Sequence, residues 1–214
     1  ISETMIKQAS PGRVALLHSL LAIPLAYGLT LARAVVYGDP TEYTFVANIL
    51  GIAHPPGYAF YTLLGKLFQT LVPFGEIPWR MHLLSATAAT VGALFVFGTV
   101  REVSRVLFAG QGSPDNARTN RDYAVAAAVF SALTVAFGVN YWQHAIHANP
   151  HIVTAPFLSA NLFLLTRWAA RGTDSNRWLN AFAFSAGLGI THLPLTVIAL
   201  PAYGLFILVA RPGI

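Results

Sequence analysis

Hydrophobic residues make up 55% of this 214-residue chain and charged residues only 10%, against about 25% charged in a typical soluble domain. A soluble globule of this size cannot hide so much apolar surface from water, so the composition excludes that class and predicts a membrane protein with the lipid bilayer as its solvent. The net charge of +5 does not indicate nucleic-acid binding, because the basic residues are spread over several loops, and the absence of cysteine excludes disulfides and thiolate metal sites.

Predominantly apolar stretches with at most one charged residue predict about six membrane crossings, each needing about 20 such residues. The first four are Val14–Tyr37, Met81–Val100, Tyr123–Tyr141 and a short one, His151–Thr166. Trp178–Ala210 is long enough for two more, with a break near Pro194, since a proline is tolerated in the first turn of a new helix. The predicted fold is therefore an all-α membrane protein, with residues 1–214 in a single transmembrane domain.

The segment between the first two crossings, residues 38–79, differs from the rest of the chain because it combines acidic residues with several prolines. The pair Pro55-Pro56 prevents one continuous helix, since proline lacks an N–H and restricts the residue before it. Residues 57–72 form an apolar pattern that is interrupted by Lys66. This pattern is typical of a helix lying at the membrane interface, and we expect an interfacial helix segment here.

The loop residues predict the orientation. With six crossings, the basic loop residues that fall on one side are Lys7, Arg13, Arg101, Arg105, Arg118, Arg121, Arg167, Arg171, Arg177 and Arg211. An excess of Arg and Lys marks the cytoplasmic side. The sequence therefore predicts a multi-pass protein of the cell inner membrane with a cytoplasmic N-terminus. Residues 38–79 are then the first extracytoplasmic loop, and residues 141–151 are the second.

Two carboxylates, Asp39 and Glu42, directly follow the first predicted crossing. Ionisable groups close to the hydrocarbon boundary are costly and commonly functional. Asp39, followed by a rigid Pro-Pro-Gly turn, suits a general base or a cation ligand. Glu42 is either a second functional acid or a cap of the following helix, with Thr41 or Asp39 as the N-cap residue.

Three histidines of the second external loop, His144, His147 and His151, are spaced by three and four residues. On a helix they would share one face, and such spacing can bind zinc. Pro150 interrupts this helix, and no carboxylate lies nearby in sequence to complete a site. We therefore expect interfacial histidines without a metal ion, and no cofactor.

Two blocks of sequence resemble the signature of a bacterial family of multispanning proteins, which reads roughly GDSGE followed by GIAHPPGYP. The blocks are Gly38-Asp39-Pro40-Thr41-Glu42 and Gly51-Ile52-Ala53-His54-Pro55-Pro56-Gly57-Tyr58. The match continues through Tyr61–Leu67, Pro73–Gly75, Trp79–Ala86 and Gly189–Leu193. That family is similar to the transmembrane protein O-mannosyltransferases of the GT-C glycosyltransferase fold.

The resemblance implies that the chain is the N-terminal half of a longer GT-C-like glycosyltransferase. Such enzymes transfer a sugar from a polyprenyl-phosphate carrier to a hydroxyl acceptor on the extracytoplasmic side. By motif, Asp39 and Glu42 correspond to the catalytic acids of the first external loop. The candidate substrate-binding residues are His54, Tyr58, Lys66, Arg80, Asn149 and His192.

The second external loop departs from the family pattern, which typically places an acidic AEVY motif after a tryptophan. After Trp142, Asn149 stands in place of the glutamate and His151 in place of the tyrosine. The first motif also has Pro40-Thr41 where Ser-Gly is usual. An alternative therefore stays open, in which the chain is a catalytically inactive homologue that serves as a structural subunit among other membrane protein subunits.

Overall fold

The structure is a computed structural model, and it describes residues 11–108, 114–171 and 176–210. Lys7 and Arg211, which contributed to the predicted orientation, lie outside these ranges. Within these ranges the regular secondary structure is helical, and the described residues include no strand. The prediction of an all-α protein is confirmed for this part of the chain.

Ten α-helices follow one another in the described residues. They are α1 (Pro11–Ser19), α2 (Ala22–Thr30), α3 (Asp39–Ile49), α4 (Ala59–Leu71), α5 (Ile77–Leu107), α6 (Pro114–Ala136), α7 (Val139–Ala145), α8 (Pro150–Ala170), α9 (Asn176–His192) and α10 (Leu200–Ala210). A 3₁₀ segment, Pro194–Ala199, precedes α10.

Within the described ranges, three helical stretches are long and apolar enough to cross a membrane. They are Gly12–Thr30, which joins α1 and α2, Ile77–Leu107 and Pro150–Ala170. A fourth is present if Ala117–Ala136 and Val139–Ala145 form one span despite a bend of 67° between them. The structure therefore supports a multi-pass membrane protein, but it corrects the predicted six crossings to three or four.

The correction concerns the last two predicted crossings. Helix α9 has only 17 residues, and the apolar stretch Pro194–Ala210 is also shorter than the roughly 20 residues that a hydrocarbon core requires. The break itself falls where it was predicted. Leu193 is extended (φ −141°, ψ 104°), as expected for a residue before proline.

Helix α5 is the centre of the bundle and packs along α6 and α8. Small residues permit a close approach between α5 and α8. A Cβ atom added at Gly92 would lie 2.6 Å from the hydroxyl oxygen of Tyr141 and 3.3 Å from the backbone nitrogen of Pro156. Ala89 and Ala93 on the same helix are fully buried. Such small residues are typical of helix contacts inside membranes, where backbones approach closely.

The long helices separate two groups of polar residues. At the start of α5, the His82 ring donates from Nε2 to the carbonyl of Ala34 (3.0 Å), and its Nδ1 accepts from the N–H of Ala148 (2.8 Å). The loops around Asp39 and before α8 therefore meet at this end, which we call the site end. Arg105 and Arg167, near the other ends of α5 and α8, both contact Glu102. We call this the arginine end.

Candidate active site

Asp39 is the first residue of α3 at the site end. The helix begins here because Gly38 adopts a positive φ of 92°, which favours glycine, and because Pro40 fits the first turn. The Asp39 side chain is exposed. At a helix N-terminus its carboxylate is stabilised by the free backbone N–H groups. It has no hydrogen-bond partner among the described residues, so it is available to a ligand.

Glu42, one turn further along α3, is paired with His54. The backbone N–H of His54 donates to Glu42 Oε1 (2.7 Å), and the ring Nδ1 donates to Oε2 (2.8 Å). These bonds attach the 50–58 turn to α3. The predicted alternative, in which the Glu42 side chain caps this helix, is not observed. The side-chain and backbone hydrogen bonds from His54 hold the pKa of Glu42 below its usual 4.5. The hydrogen bond to Glu42 raises the pKa of His54 above its usual 6.5.

Asp39, Glu42 and His54, which we call the trio, each offer one atom that could bind a metal ion, a carboxylate oxygen or an imidazole nitrogen. These three atoms all lie within 4.8 Å of one another. Two carboxylates and an imidazole are an acceptable ligand set for a divalent cation. Among the described residues this is the one group with such geometry, and His144, His147 and His151 do not form another. His54 would have to turn its Nδ1 away from Glu42 to bind a cation through that atom.

Aromatic rings form the wall behind this trio. The buried Tyr43 ring lies 5.6 Å from the His54 ring and 5.4 Å from the Tyr58 ring, centroid to centroid. Burial, reinforced by the neighbouring Tyr58, raises the pKa of the Tyr43 hydroxyl well above its usual range. Tyr43 therefore keeps its proton, and its oxygen lies 3.4 Å from His54 Nε2.

Tyr58 connects this wall to the second loop. Its φ of 46° lies in the left-handed region, which costs a residue other than glycine about 1–2 kcal/mol. The ring is nevertheless buried, and it makes edge-on contacts with Tyr43 and, at 5.9 Å, with His151. The packing of these rings stabilises the unusual backbone conformation and brings His151 next to the trio.

A groove of about 630 Å³ continues from His151 along the bend between α6 and α7. One part of its lining is polar, with Asn140, Tyr141, His144 and His151. The rest is largely apolar and includes Val135, Val139, Ile152, Ala155, Leu158 and Leu193. The groove therefore has both polar and apolar lining residues, and one of the polar ones, His151, contacts Tyr58 of the aromatic wall.

The two basic residues predicted to bind substrate, Lys66 and Arg80, are engaged elsewhere. Lys66 Nζ donates to the carbonyl of Asn48 in the last turn of α3 (2.6 Å). The Arg80 guanidinium donates to the carbonyls of Gln69 (2.8 Å), Phe74 (3.2 Å) and Gly75 (3.0 Å). Both side chains thus satisfy carbonyls at helix ends and turns, and neither has a hydrogen bond to the trio.

Asn149 and His192 hold the first turn of α8. The Asn149 side chain accepts a hydrogen bond from the N–H of His151 (2.8 Å) and is the N-cap of that helix. His192 is buried, and its Nε2 donates to the carbonyl of Pro150 (2.8 Å). These bonds hold the turn that places His151 beside Tyr58, and the substrate-binding roles of Asn149 and His192 stay predictions.

Sequence reasoning did not assign a function to Tyr43 or His82. Tyr43 directly follows Glu42 in the first motif, and this adjacency was the available signal. His82 lies inside a predicted crossing, where an ionisable residue is unusual. Its contacts reach Ala34 and Ala148, which are far away in sequence, so its role could not be recognised from neighbours along its own helix.

Residues 39–213 match the family model described as the protein O-mannosyl-transferase TMEM260 N-terminal domain. The chain belongs to this family. The matched range begins at Asp39 and includes the whole trio and the groove. The TMEM260 family assignment supports the resemblance to protein O-mannosyltransferases that the motifs indicated.

Two curated relatives carry the same name. The mouse protein O-mannosyl-transferase TMEM260 is 32% identical over 183 residues, which cover 85% of this chain and 23% of the relative. The Dictyostelium discoideum protein of that name is 24% identical over 195 residues, which cover 85% of this chain and 22% of the relative. The chain thus spans less than a quarter of the length of these TMEM260 proteins. No solved structure matches the chain.

The pairing of Glu42 with His54 predicts a pH dependence. The stabilisation that comes from protonated His54 is complete below pH 6.5 and is lost as the pH rises through its raised pKa. The stabilisation of the folded state that comes from ionised Glu42 is present above pH 4.5 and is lost as the pH falls through the lowered pKa of Glu42. We expect the NMR titration midpoint of His54 to lie above 6.5, and Glu42→Gln to lower it. An unchanged midpoint in Glu42→Gln would contradict the pairing.

Proposed function

We propose that this chain is the catalytic N-terminal part of a membrane glycosyltransferase that transfers mannose from a polyprenyl-phosphate carrier to a protein hydroxyl group. The observation that supports this proposal is the exposed carboxylate of Asp39, which has no hydrogen-bond partner in the described part of the chain and lies next to the Glu42–His54 pair. Membership in a family whose named relatives are protein O-mannosyl-transferases supports the choice of sugar and acceptor. In this proposal the chain adopts the GT-C arrangement.

Asp39 acts as the general base. Its carboxylate takes the proton of the acceptor hydroxyl while the hydroxyl oxygen attacks the anomeric carbon of the sugar. The bond from that carbon to the phosphate oxygen breaks at the same time, and the polyprenyl phosphate leaves with the bonding electrons. A base at this position must be free of strong internal partners, and the Asp39 carboxylate has no hydrogen-bond partner among the described residues. Glu42 serves the reaction indirectly, by orienting His54.

His54 neutralises the departing phosphate. Glu42 favours the charged form of its ring, and the side chain is exposed beside Asp39. A cation placed where negative charge develops stabilises the transition state. Lys66 and Arg80 are less suited to this task, because backbone carbonyls already occupy their donors.

The groove accommodates the carrier. Its apolar lining residues suit the polyprenyl chain, and its polar lining residues Tyr141, His144 and His151 suit the sugar phosphate. His151 also contacts Tyr58, which belongs to the wall behind the trio, so a sugar phosphate at His151 would lie close to the trio. A carrier lying along this bend would approach from the lipid, as a membrane-anchored donor must.

The site end faces the extracytoplasmic side in this proposal. Arg105, Arg167, Arg171 and Arg177 lie at the arginine end, and basic residues favour the cytoplasm. Arg13 on α1 pairs with Asp122 near the start of α6 (3.0 Å), so the N-terminal helix also begins at the arginine end. This arrangement supports the predicted cytoplasmic N-terminus. We retain the predicted location in the cell inner membrane as part of the proposal.

A transfer assay tests the function directly. The full-length protein that contains this region is purified in detergent and incubated with polyprenyl-phosphate mannose and a peptide rich in serine and threonine. We expect mannosylated peptide to accumulate, as detected by mass spectrometry. Absence of product from a folded protein, with a lipid-linked donor of either long or short chain, would reject the proposal.

The alternative is an inactive homologue that acts as a structural subunit of a larger membrane complex. The capping role of Asn149 favours it, because an amide that closes a helix end does not replace the acid that the related motif carries there. The same preparation distinguishes the two functions. A subunit would be recovered with other membrane proteins after isolation in mild detergent and would yield no mannosylated peptide.

A further inference from the structure

The arginine end carries a cluster of positive charge that the proposed reaction does not use. The residues are Arg101 and Arg105 on α5, Arg167 on α8, Arg171 directly after it, and Arg177 in the first turn of α9. The charges of Arg171, Arg105 and Arg101 all act on the Arg167 guanidinium. Since α5 and α8 both run from the site end to this end, the cluster lies a membrane-spanning helix away from Asp39.

One carboxylate, Glu102, contacts this cluster in the described part of the chain. It is 5% exposed, and its Oε2 atom accepts from Arg105 Nη1 (3.2 Å) and from Arg167 Nη1 (3.4 Å). Both hydrogen bonds are long for charged partners, which usually approach to about 2.7–2.9 Å. A single carboxylate shared by two guanidiniums leaves a net positive charge.

Three of the guanidiniums surround a single indole ring. The central guanidinium carbon atoms of Arg167, Arg177 and Arg171 lie 4.9, 5.2 and 5.8 Å from the ring centroid of Trp178. Each contact is favourable by itself. The three cations nevertheless repel one another, and an anion placed among them would relieve that repulsion.

Buried donors in the cluster lack an acceptor. The Arg167 side chain is only 25% exposed, and its Nε atom is buried without a hydrogen-bond partner among the described residues. The indole Nε1 of Trp178 is likewise buried and has no partner in that part of the chain. Leaving a buried donor unsatisfied is costly, and a phosphate presents several strong acceptor oxygens at once. The unmet donors and the excess charge therefore indicate the same class of ligand.

We propose that the arginine end binds the phosphate of an anionic membrane lipid, with Arg167, Arg171 and Arg177 around the headgroup. The position favours a lipid over a soluble phosphate, because the cluster lies at the ends of membrane-spanning helices, at the depth of the headgroups. Exposed apolar side chains of α5 on the bilayer side of the cluster, Val91 and Leu94, would contact the acyl chains. The bound lipid ties α5, α8 and α9 together at this end.

The test compares lipid binding by variants of the full-length protein. Native mass spectrometry in detergent measures the retention of phosphatidylglycerol against that of phosphatidylcholine. We expect preferential retention of phosphatidylglycerol, and a loss of about fivefold in its affinity for each arginine of the cluster that is removed. Arg167→Gln removes the central guanidinium. Arg171→Gln removes an exposed one and keeps the test valid if Arg167→Gln fails to fold.

Arg118→Gln is the matched control, because Arg118 is an exposed arginine on α6 and is not one of the three described arginines that lie over the Trp178 ring. It changes the net charge by the same amount and is expected to leave phosphatidylglycerol retention unchanged. Equal losses in Arg118→Gln and Arg171→Gln would show general surface charge and overturn the proposal. Unchanged retention in Arg171→Gln would overturn it as well. Displacement of the lipid by millimolar inorganic phosphate would show a soluble anion site instead.

Discussion

Replacement of Asp39 by asparagine is expected to lower the rate of mannosyl transfer about 10²–10⁴-fold, the usual cost of losing a positioned general base. The amide has nearly the same size as the carboxylate, but it cannot accept a proton at neutral pH. The side chain is exposed and has no internal partner among the described residues, so we expect membrane insertion and thermal stability to stay the same. Initial rates of peptide mannosylation by the full-length protein measure the effect.

Glu76→Gln is the control for this substitution. Glu76 is an exposed carboxylate just before α5 at the site end, and its side chain does not cap that helix. The same chemical change there should leave the rate within about twofold of the unmodified protein, since remote surface substitutions are usually near neutral. If Asp39→Asn and Glu76→Gln had equal rates, Asp39 would not be the base.

Gly92→Leu is expected to destabilise the bundle by about 1–3 kcal/mol, the usual cost of overpacking a well-packed core. The new Cβ atom would lie 2.6 Å from the Tyr141 hydroxyl oxygen and 3.3 Å from the Pro156 nitrogen, and the latter is backbone that cannot move aside easily. Displacement of Tyr141 would also break its hydrogen bond to the carbonyl of Ala89 (2.8 Å). Thermal unfolding of the full-length protein in detergent should begin several degrees lower.

Gly187→Leu provides the comparison. Gly187 lies on α9, and apart from its own helix backbone and chain neighbours no heavy atom lies within 4 Å of a Cβ atom placed there. The gain in helix propensity is the same at both glycines, so the difference between the two melting temperatures reports the contacts of α5 with α7 and α8 at Gly92. Similar melting temperatures for both variants would mean that these helices do not approach closely at Gly92.

The sequence alone was sufficient for the properties that depend on nearby residues. The all-α class and the membrane environment follow from composition. The helix break before Pro194 and a helix within residues 57–72 follow from local backbone chemistry, whereas α3 begins after Gly38 and not after the predicted N-cap residues Thr41 or Asp39. The motif that contains Asp39, Glu42, His54 and Tyr58 was also recognisable, and the structure brings these four residues together.

The number of crossings was overestimated because an apolar run of 33 residues, Trp178–Ala210, does not by itself reveal that its two helices are each too short to span.

Only the tertiary structure decided which side chains are free and which are already engaged. Lys66 and Arg80 resemble substrate ligands in the sequence, but the packing of α3, α4 and α5 brings backbone carbonyls within their reach. The pairing of Glu42 with His54 and the contact of Tyr58 with His151 depend in the same way on how the chain folds back on itself. Hydropathy and the backbone restriction imposed by proline depend on residues that are close in sequence, so both can be read from the sequence directly. Hydrogen-bond partners are selected by the packing of helices that are distant in the chain, so they become visible only in three dimensions.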